Sequence, residues 1–552
     1  ISNLEKDIYE EEEHNFTILA GMQFERGDES WVQGYKTDLI SEKVPSFPTA
    51  TGDALLSEAL AHNATESYFA RLNYNYKEKY LFEANVRYDG SYVFRNGKRW
   101  GTFPSFSLGW NLYNESFWEN IEPYVNTLKV RASWGQLGNQ NISPYSDLEL
   151  IPISADKLNW IFNYGSTRPV GYTSGPNLVN RNLTWETATT TNVGMDLSFL
   201  NNRLSATVDW FERRTIDMVG PSQAMPGVLG TSVPKENNST LRTRGWEISL
   251  NWKHALENGL SYNLGISLYD YKSVVTKYFN PTGTLSTWYE GAEVGDIWGY
   301  TVNDLFRSQE DLDSYLSKVD MTHIAANWNT GDLKYEDINH DGKVNNGTNT
   351  IGNHGDLSVI GNDQPHYQYT INGGVSYKGF DFSMLWRGVA KKDMYFYRGS
   401  NIYWGFMGGW WESCLTPEHL DYFRDQPGSK YSGLYEGDAN INTDAYWPRP
   451  YLNNTEEAKN KNHANTRYLQ NAAYLRLQNV QLGYSFPRSI TSKMHLEKLR
   501  IYFSGENLLT FSKLPSGIDP VAPVGFPTGG EFFGTAGSGA DRIYSIGLTV
   551  TY

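Results

Sequence analysis

Arg542-Ile-Tyr-Ser-Ile-Gly-Leu-Thr-Val-Thr-Tyr552 alternates strictly between two kinds of side chain. Tyr544, Ile546, Leu548, Val550 and Tyr552 point one way, and Ser545, Gly547, Thr549 and Thr551 the other. Side chains of a β-strand alternate faces, so this stretch predicts a strand with one apolar and one small, polar face. A soluble sandwich could supply one such strand. Repeated about a dozen times, the same pattern predicts a β-barrel with its apolar face in an outer membrane and its polar face around a wet lumen.

The repeats are there. Tyr68, Ala70, Leu72, Tyr74 and Tyr76 alternate with Arg71, Asn73, Asn75 and Lys77. Phe82, Ala84, Val86 and Tyr88 follow after Lys77-Glu-Lys79, and then Phe106, Leu108, Trp110 and Leu112. Val193, Met195, Leu197 and Phe199 lead through Asn201-Asn202 into Leu204, Ala206, Val208 and Trp210, a hairpin with a tight turn. Further strands are expected at 128–134, 246–252, 262–268, 369–377, 380–389 and 499–511. Leu475 and Leu477 share one face, but Leu482, Tyr484 and Phe486 fall out of phase with them, which predicts a bulge near Gln478-Asn479 or a membrane boundary there. About 14 strands are expected, and the fold class is all-β. Short connections alternate with long ones at roughly 139–184, 211–240, 279–365, 397–470 and 512–540, as periplasmic turns and extracellular loops would.

Composition agrees. The 552 residues include 38 Tyr and 18 Trp, yet the mean hydropathy is −0.54. A net charge of −15 argues against a nucleic-acid partner, and the single Cys414 cannot form an intrachain disulfide. No apolar run is long enough for a helical membrane span. No export signal is visible: Ile1 opens a charged stretch in which Glu10-Glu-Glu-Glu13 is expected to be a solvated loop. A propeller or solenoid would show a fixed repeat period, and none is found.

Several blocks, in order along nearly the whole chain, resemble the SusC family of TonB-dependent outer-membrane transporters. They include Ser67-Tyr-Phe-Ala-Arg-Leu-Asn-Tyr-Asn-Tyr76, Arg87-Tyr-Asp-Gly-Ser91, Leu128-Lys-Val-Arg-Ala-Ser-Trp-Gly135 and Leu183-Thr-Trp-Glu-Thr187. Arg244-Gly-Trp-Glu247, Val359-Ile-Gly-Asn362, Tyr474-Leu-Arg-Leu477, Gly505-Glu-Asn-Leu-Leu509 and Gly517-Ile-Asp-Pro520 continue the series. The resemblance implies a 22-strand barrel of which residues 1–552 are the C-terminal part, with a plug domain and the first strands supplied by sequence outside this chain; a self-contained barrel of about 14 strands is the alternative. It further implies energised import of oligosaccharides or peptides, coupling to TonB through the plug, a SusD-like surface lipoprotein over the mouth, and pairing of such complexes. A passive porin or adhesin barrel is the alternative, and an outer-membrane enzyme the third reading.

Two local motifs could carry binding. In Asp337-Ile-Asn-His-Asp-Gly-Lys343, Asp337, Asn339 and Asp341 offer side-chain oxygens, Gly342 a turn, and Lys343 a carbonyl. That is the order of a calcium loop, except that Thr348 stands where the closing acid belongs. Asp356 is the expected replacement, the ion would be structural, and His340 and His354 should face solvent. Trp404, Trp410 and Trp411 could stack on a sugar or hold a peptide, or simply pack their loop. No histidine has metal-ligand spacing and there is no nucleophile-elbow motif, so no catalytic set is expected.

Overall fold

A computed structural model describes residues 4–11, 13–140, 142–144, 146, 148–149, 160–162, 170–172, 178–223, 233–395, 420–429, 435–451, 459–460, 462–514, 519–521 and 541–552. Period-2 alternation becomes one antiparallel sheet of 15 strands, each hydrogen-bonded to its neighbour in sequence order. They are β1 Leu4–Glu11, β2 His14–Lys36, β3 Ala54–Tyr76, β4 Tyr80–Ser91, β5 Trp100–Asn111, β6 Val125–Asn139, β7 Glu186–Phe199 and β8 Leu204–Gly220. Then follow β9 Glu236–Ala255, β10 Ser261–Lys277, β11 His366–Tyr377, β12 Phe380–Lys391, β13 Tyr474–Ser485, β14 Lys498–Ser512 and β15 Ile543–Thr551. β1 and β15 are the two ends of the order, and 15 up-and-down strands leave them running in the same direction.

Register carries the alternation across the sheet. Tyr80 lies opposite Trp110, Phe82 opposite Leu108 and Ala84 opposite Phe106, so apolar side chains form continuous rows on one face. On β15 that face leaves Ile546 83% exposed, which is favourable only against an apolar solvent. Aromatic rings bound the band on both sides. Tyr76, Tyr80 and Trp110 stack at the short-turn end, with centroids 6.2 Å apart along the series, while Tyr88 lies 4.7 Å from Trp100 at the other. From Tyr80 to Tyr88 the strand has about the 9–11 residues that a tilted strand needs to cross a bilayer.

Turn chemistry sets the tight end. Asn201 and Asn202 adopt φ of 57° and 59°, a left-handed conformation that Asn tolerates well, and Lys378-Gly379 does the same in the β11–β12 hairpin. The phase slip on β13 is a bulge at Gln478. Leu385 pairs with Asn479 while the adjacent Trp386 pairs with Leu477, and the register to β14 shifts at the same point.

Three expectations change. Glu10 and Glu11 lie in β1, paired with Asn15 and His14, rather than in a solvated loop, and the two strands β1 and β2 precede the first one expected. Half of the supposed loop at 211–240 is strand, because β8 and β9 run past the membrane span as a polar ladder. The connections 278–365 and 392–473 are no open loops. Asp296–Tyr300 pairs with Leu357–Asn362, Val302–Leu305 with Leu333–Tyr335, and Asp393–Tyr395 with Leu469–Asn471. The helix α1, Gln309–Leu316, is capped by Ser308, whose hydroxyl accepts the Asp311 N–H at 3.2 Å. Tyr300, Leu305, Phe306, Leu312, Leu333, Tyr335 and Val344 share one core with Met394, Phe423, Trp447 and Tyr468. The described parts of both connections therefore form one folded cap at the long-loop end of the barrel.

Candidate functional site: cap loop and lumenal wall

The calcium-type loop sits in the cap and is built from its own side chains. Asp337 accepts the N–H groups of Asp341 at 3.2 Å and Gly342 at 2.8 Å. Asn339 Oδ1 accepts the Asp341 N–H at 3.0 Å, and Asp341 Oδ1 accepts that of Lys343 at 2.9 Å. Gly342 turns the chain with φ of 83°. The backbone around Lys343 then pairs with Asp320, whose N–H donates to the Gly342 carbonyl at 2.8 Å. This ordered turn leaves Asn339 and Asp341 exposed at its rim and Asp337 half-buried.

Asp356 reaches the same loop from beneath. It is fully buried, and its two oxygens accept N–H groups from Ile338 at 2.8 Å, Asn339 at 3.3 Å and Asn345 at 2.8 Å. The loop thus brings Asp337, Asn339, Asp341, Lys343 and Asp356 together, in an order that suits a hard cation. Among the described residues, however, no three His, Cys, Asp or Glu side chains converge as a metal cluster. The carboxylate of Asp356 braces backbone. His340 is exposed, as expected. His354 instead packs 5.4 Å from the Trp298 ring, and its Nδ1 is buried without a hydrogen-bond partner. Trp404, Trp410 and Trp411 lie outside the described residues.

A second anchor was not legible in sequence. Asp332 and Lys459, from the two separate connections, form a fully buried ion pair at 2.7 Å. Asp332 also accepts hydrogen bonds from Tyr451 Oη at 2.7 Å, Asn460 Nδ2 at 3.1 Å and the Asn329 N–H at 2.7 Å. A buried pair needs such extra bonds to offset the loss of water. Nearby, burial pushes the His463 imidazole below its usual pKa, with His323 adding to the effect.

The lumenal wall is polar and internally paired. Arg131 on β6 holds Asp209 through both terminal nitrogens, at 2.7 and 2.6 Å, and Asp196 through Nε at 3.1 Å. Gly194 lies between them: a Cβ there would meet Asp209 Oδ1 at 2.5 Å and the Arg131 guanidinium carbon at 2.7 Å. Further round, Arg500 clasps Asp381 through two nitrogens and Gln481 through Nη2. At the upper end Arg476 pairs with the buried Asp519 at 2.6 Å, tying the 513–542 connection to the wall. Lining of this kind lets a polar solute or a polar protein surface pass without desolvated, unpaired charge. At the tight-turn end Glu115 gathers Tyr80 Oη, Lys79 Nζ and Trp110 Nε1 within 3.1 Å, and these bonds, Tyr80's foremost, hold its carboxyl below the usual range.

Residues 6–508 match the family model described as TonB dependent receptor-like, beta-barrel. TonB-dependent receptor P3 of Formosa agariphila is 25% identical over 531 residues, covering 92% of this chain and 47% of the relative. TonB-dependent receptor SusC of Bacteroides thetaiotaomicron is 27% identical over 493 residues, covering 86% and 43%. The solved structure of the RagAB peptide importer in the open-open state superposes with a TM-score of 0.69 at 19% identity, over 100% of this chain and 54% of that one. Such identity speaks for the fold alone. The chain spans about half the length of the curated relatives it matches. With a family model spanning most of the sequence, and with an apolar band, two aromatic girdles and a polar lumen, the chain belongs to the TonB dependent receptor-like β-barrels of the outer membrane.

Proposed function

We propose that this chain is the greater part of the barrel of a SusC-like importer that takes up oligosaccharides or peptides with energy from TonB. The observation that carries the reading is the match to a TonB dependent receptor-like barrel over residues 6–508. A receptor named SusC among the relatives supports the SusC-like assignment, and the two substrate classes are those that the family resemblance implies. In this reading a plug and further strands come from sequence outside this chain. The parallel directions of β1 and β15 favour that, since an odd number of added strands makes every pairing antiparallel. A SusD-like surface lipoprotein covers the cap, pairs of complexes associate, and no step is catalytic. Uptake of labelled oligosaccharides and peptides is measured in cells with and without TonB, and copurification tests for the lipoprotein. Loss of uptake without TonB is expected; uptake that persists would make the barrel a passive porin.

We further propose that Asp337, Asn339, Asp341 and the Lys343 carbonyl hold a structural calcium ion, with Asp356 closing the loop. Terbium luminescence excited through nearby aromatic rings, competed by calcium, should appear in the native protein and vanish in Asp337→Ala/Asp341→Ala. Equal luminescence in the variant would defeat the site.

A further inference from the structure

Trp210 and Trp246 face each other across β8 and β9 at the top of the apolar band. One row higher on the same outward face stand Glu212, Arg244 and Lys272, and above them Arg214 and Arg242. From Leu204 to Glu212 the strand has about the 9–11 residues of a bilayer crossing, so these cations lie at the level of lipid headgroups.

Their arrangement is not neutralised from within. Arg214 and Arg242 are directly opposite in the β8–β9 register, and like charges so placed destabilise a strand pair. Glu212 is shared between Arg214 and Arg244. Glu293 is taken by Lys272, and Asp270 accepts from His366 Nδ1 at 2.8 Å. Every carboxylate of the patch is therefore engaged, and Arg242 has no acidic partner among the described residues. Two arginines directly opposite each other in the strand register, with a third one row below, suit an oxyanion between them.

We infer that Arg214, Arg242, Arg244 and Lys272 form a binding site for the phosphate of an outer-leaflet lipid headgroup. The acyl chains would lie on Trp210, Trp246 and the apolar rows beneath. A free phosphate shares the charge but not the chains, and the test separates the two.

The detergent-solubilised protein is titrated with bisphosphorylated lipid A, with the same lipid stripped of phosphate, and with inorganic phosphate, followed by tryptophan fluorescence and native mass spectrometry. Phosphorylated lipid should bind at least ten-fold more tightly than either of the others. Arg214→Gln/Arg242→Gln should weaken it at least ten-fold, while Arg203→Gln in the turn at the opposite end leaves it unchanged. If the double variant does not insert, Arg242→Gln alone decides: it should lower lipid affinity yet not lower thermal stability in lipid-free detergent, since it also removes one of two like charges at opposite register positions. Equal binding of the stripped lipid, equal binding of inorganic phosphate, or an equal loss in Arg203→Gln overturns the assignment.

Discussion

At Asp356 one carboxylate satisfies three backbone N–H groups inside the cap, so its removal strands buried donors. Each costs about 1–3 kcal/mol when left unpaired, so Asp356→Ala should destabilise the cap by roughly 3–5 kcal/mol. Amide exchange across 337–350 should accelerate accordingly, with the barrel strands unchanged. The same reasoning applies to Asp332, where Lys459→Met would leave a buried carboxylate without its cation, at about 3–5 kcal/mol. A titrating group adds a pH dependence. The His463 pKa is lowered by burial, so its contribution to stability is present above the ordinary histidine pKa, about 6.5, and is lost as pH falls below that value. His463→Phe, which keeps a ring beside Tyr300, should flatten the decline in cap exchange protection between pH 7.5 and 5. An unchanged pH profile would remove His463 from the account.

A strand carries its meaning in its phase, and β13 changes phase once. The bulge at Gln478 lets Leu475 and Leu477 face lipid while Arg476 reaches Thr510 and Asp519, even though Leu482 and Tyr484 follow the opposite parity. Deleting Gln478 removes the extra residue and leaves a regular strand, in which Leu475, Leu477, Val480, Leu482 and Tyr484 share the lipid face and Arg476 stays on the lumenal one. Deletion should therefore keep the compact, heat-modifiable form on electrophoresis, as Gln478→Gly should, and loss of that form in the deletion alone would show that the strand needs its extra residue. The bulge was readable because two parities conflict within one short stretch. β1 and β2 were harder. In β2 the apolar series Phe16, Ile18, Ala20, Met22 and Phe24 gives way to a polar hairpin, whose pairing to β3 continues to Lys36 opposite Ala54 without any lipid-facing signal.

Across the molecule, the described parts of two connections separated by the β11–β12 hairpin fold as one cap. Phe423 lies in one connection and Leu333 in the other, yet both are in a single core. Phe423→Ala should cost about 3–5 kcal/mol and open both connections to limited proteolysis together, including 278–365, in which it does not lie. Cleavage confined to 392–473 would show two independent units instead. The barrel itself should remain protected. What the sequence determined alone was the all-β class, the lipid-facing rows, the alternation of tight turns with long connections, and the bulge. Each of these follows from local alternation and turn residues, because in lipid every outward side chain must be apolar and every backbone group paired. The ordered Asp337–Lys343 loop was also legible, since its ligand-like spacing is contiguous. Asp356 was expected at that loop from sequence, but only the tertiary structure decided that it accepts three backbone N–H groups there, that Asp332 meets Lys459, and that Arg214 stands opposite Arg242. Those contacts depend on strand register and on the packing of distant connections, and neither leaves a periodic trace along the chain.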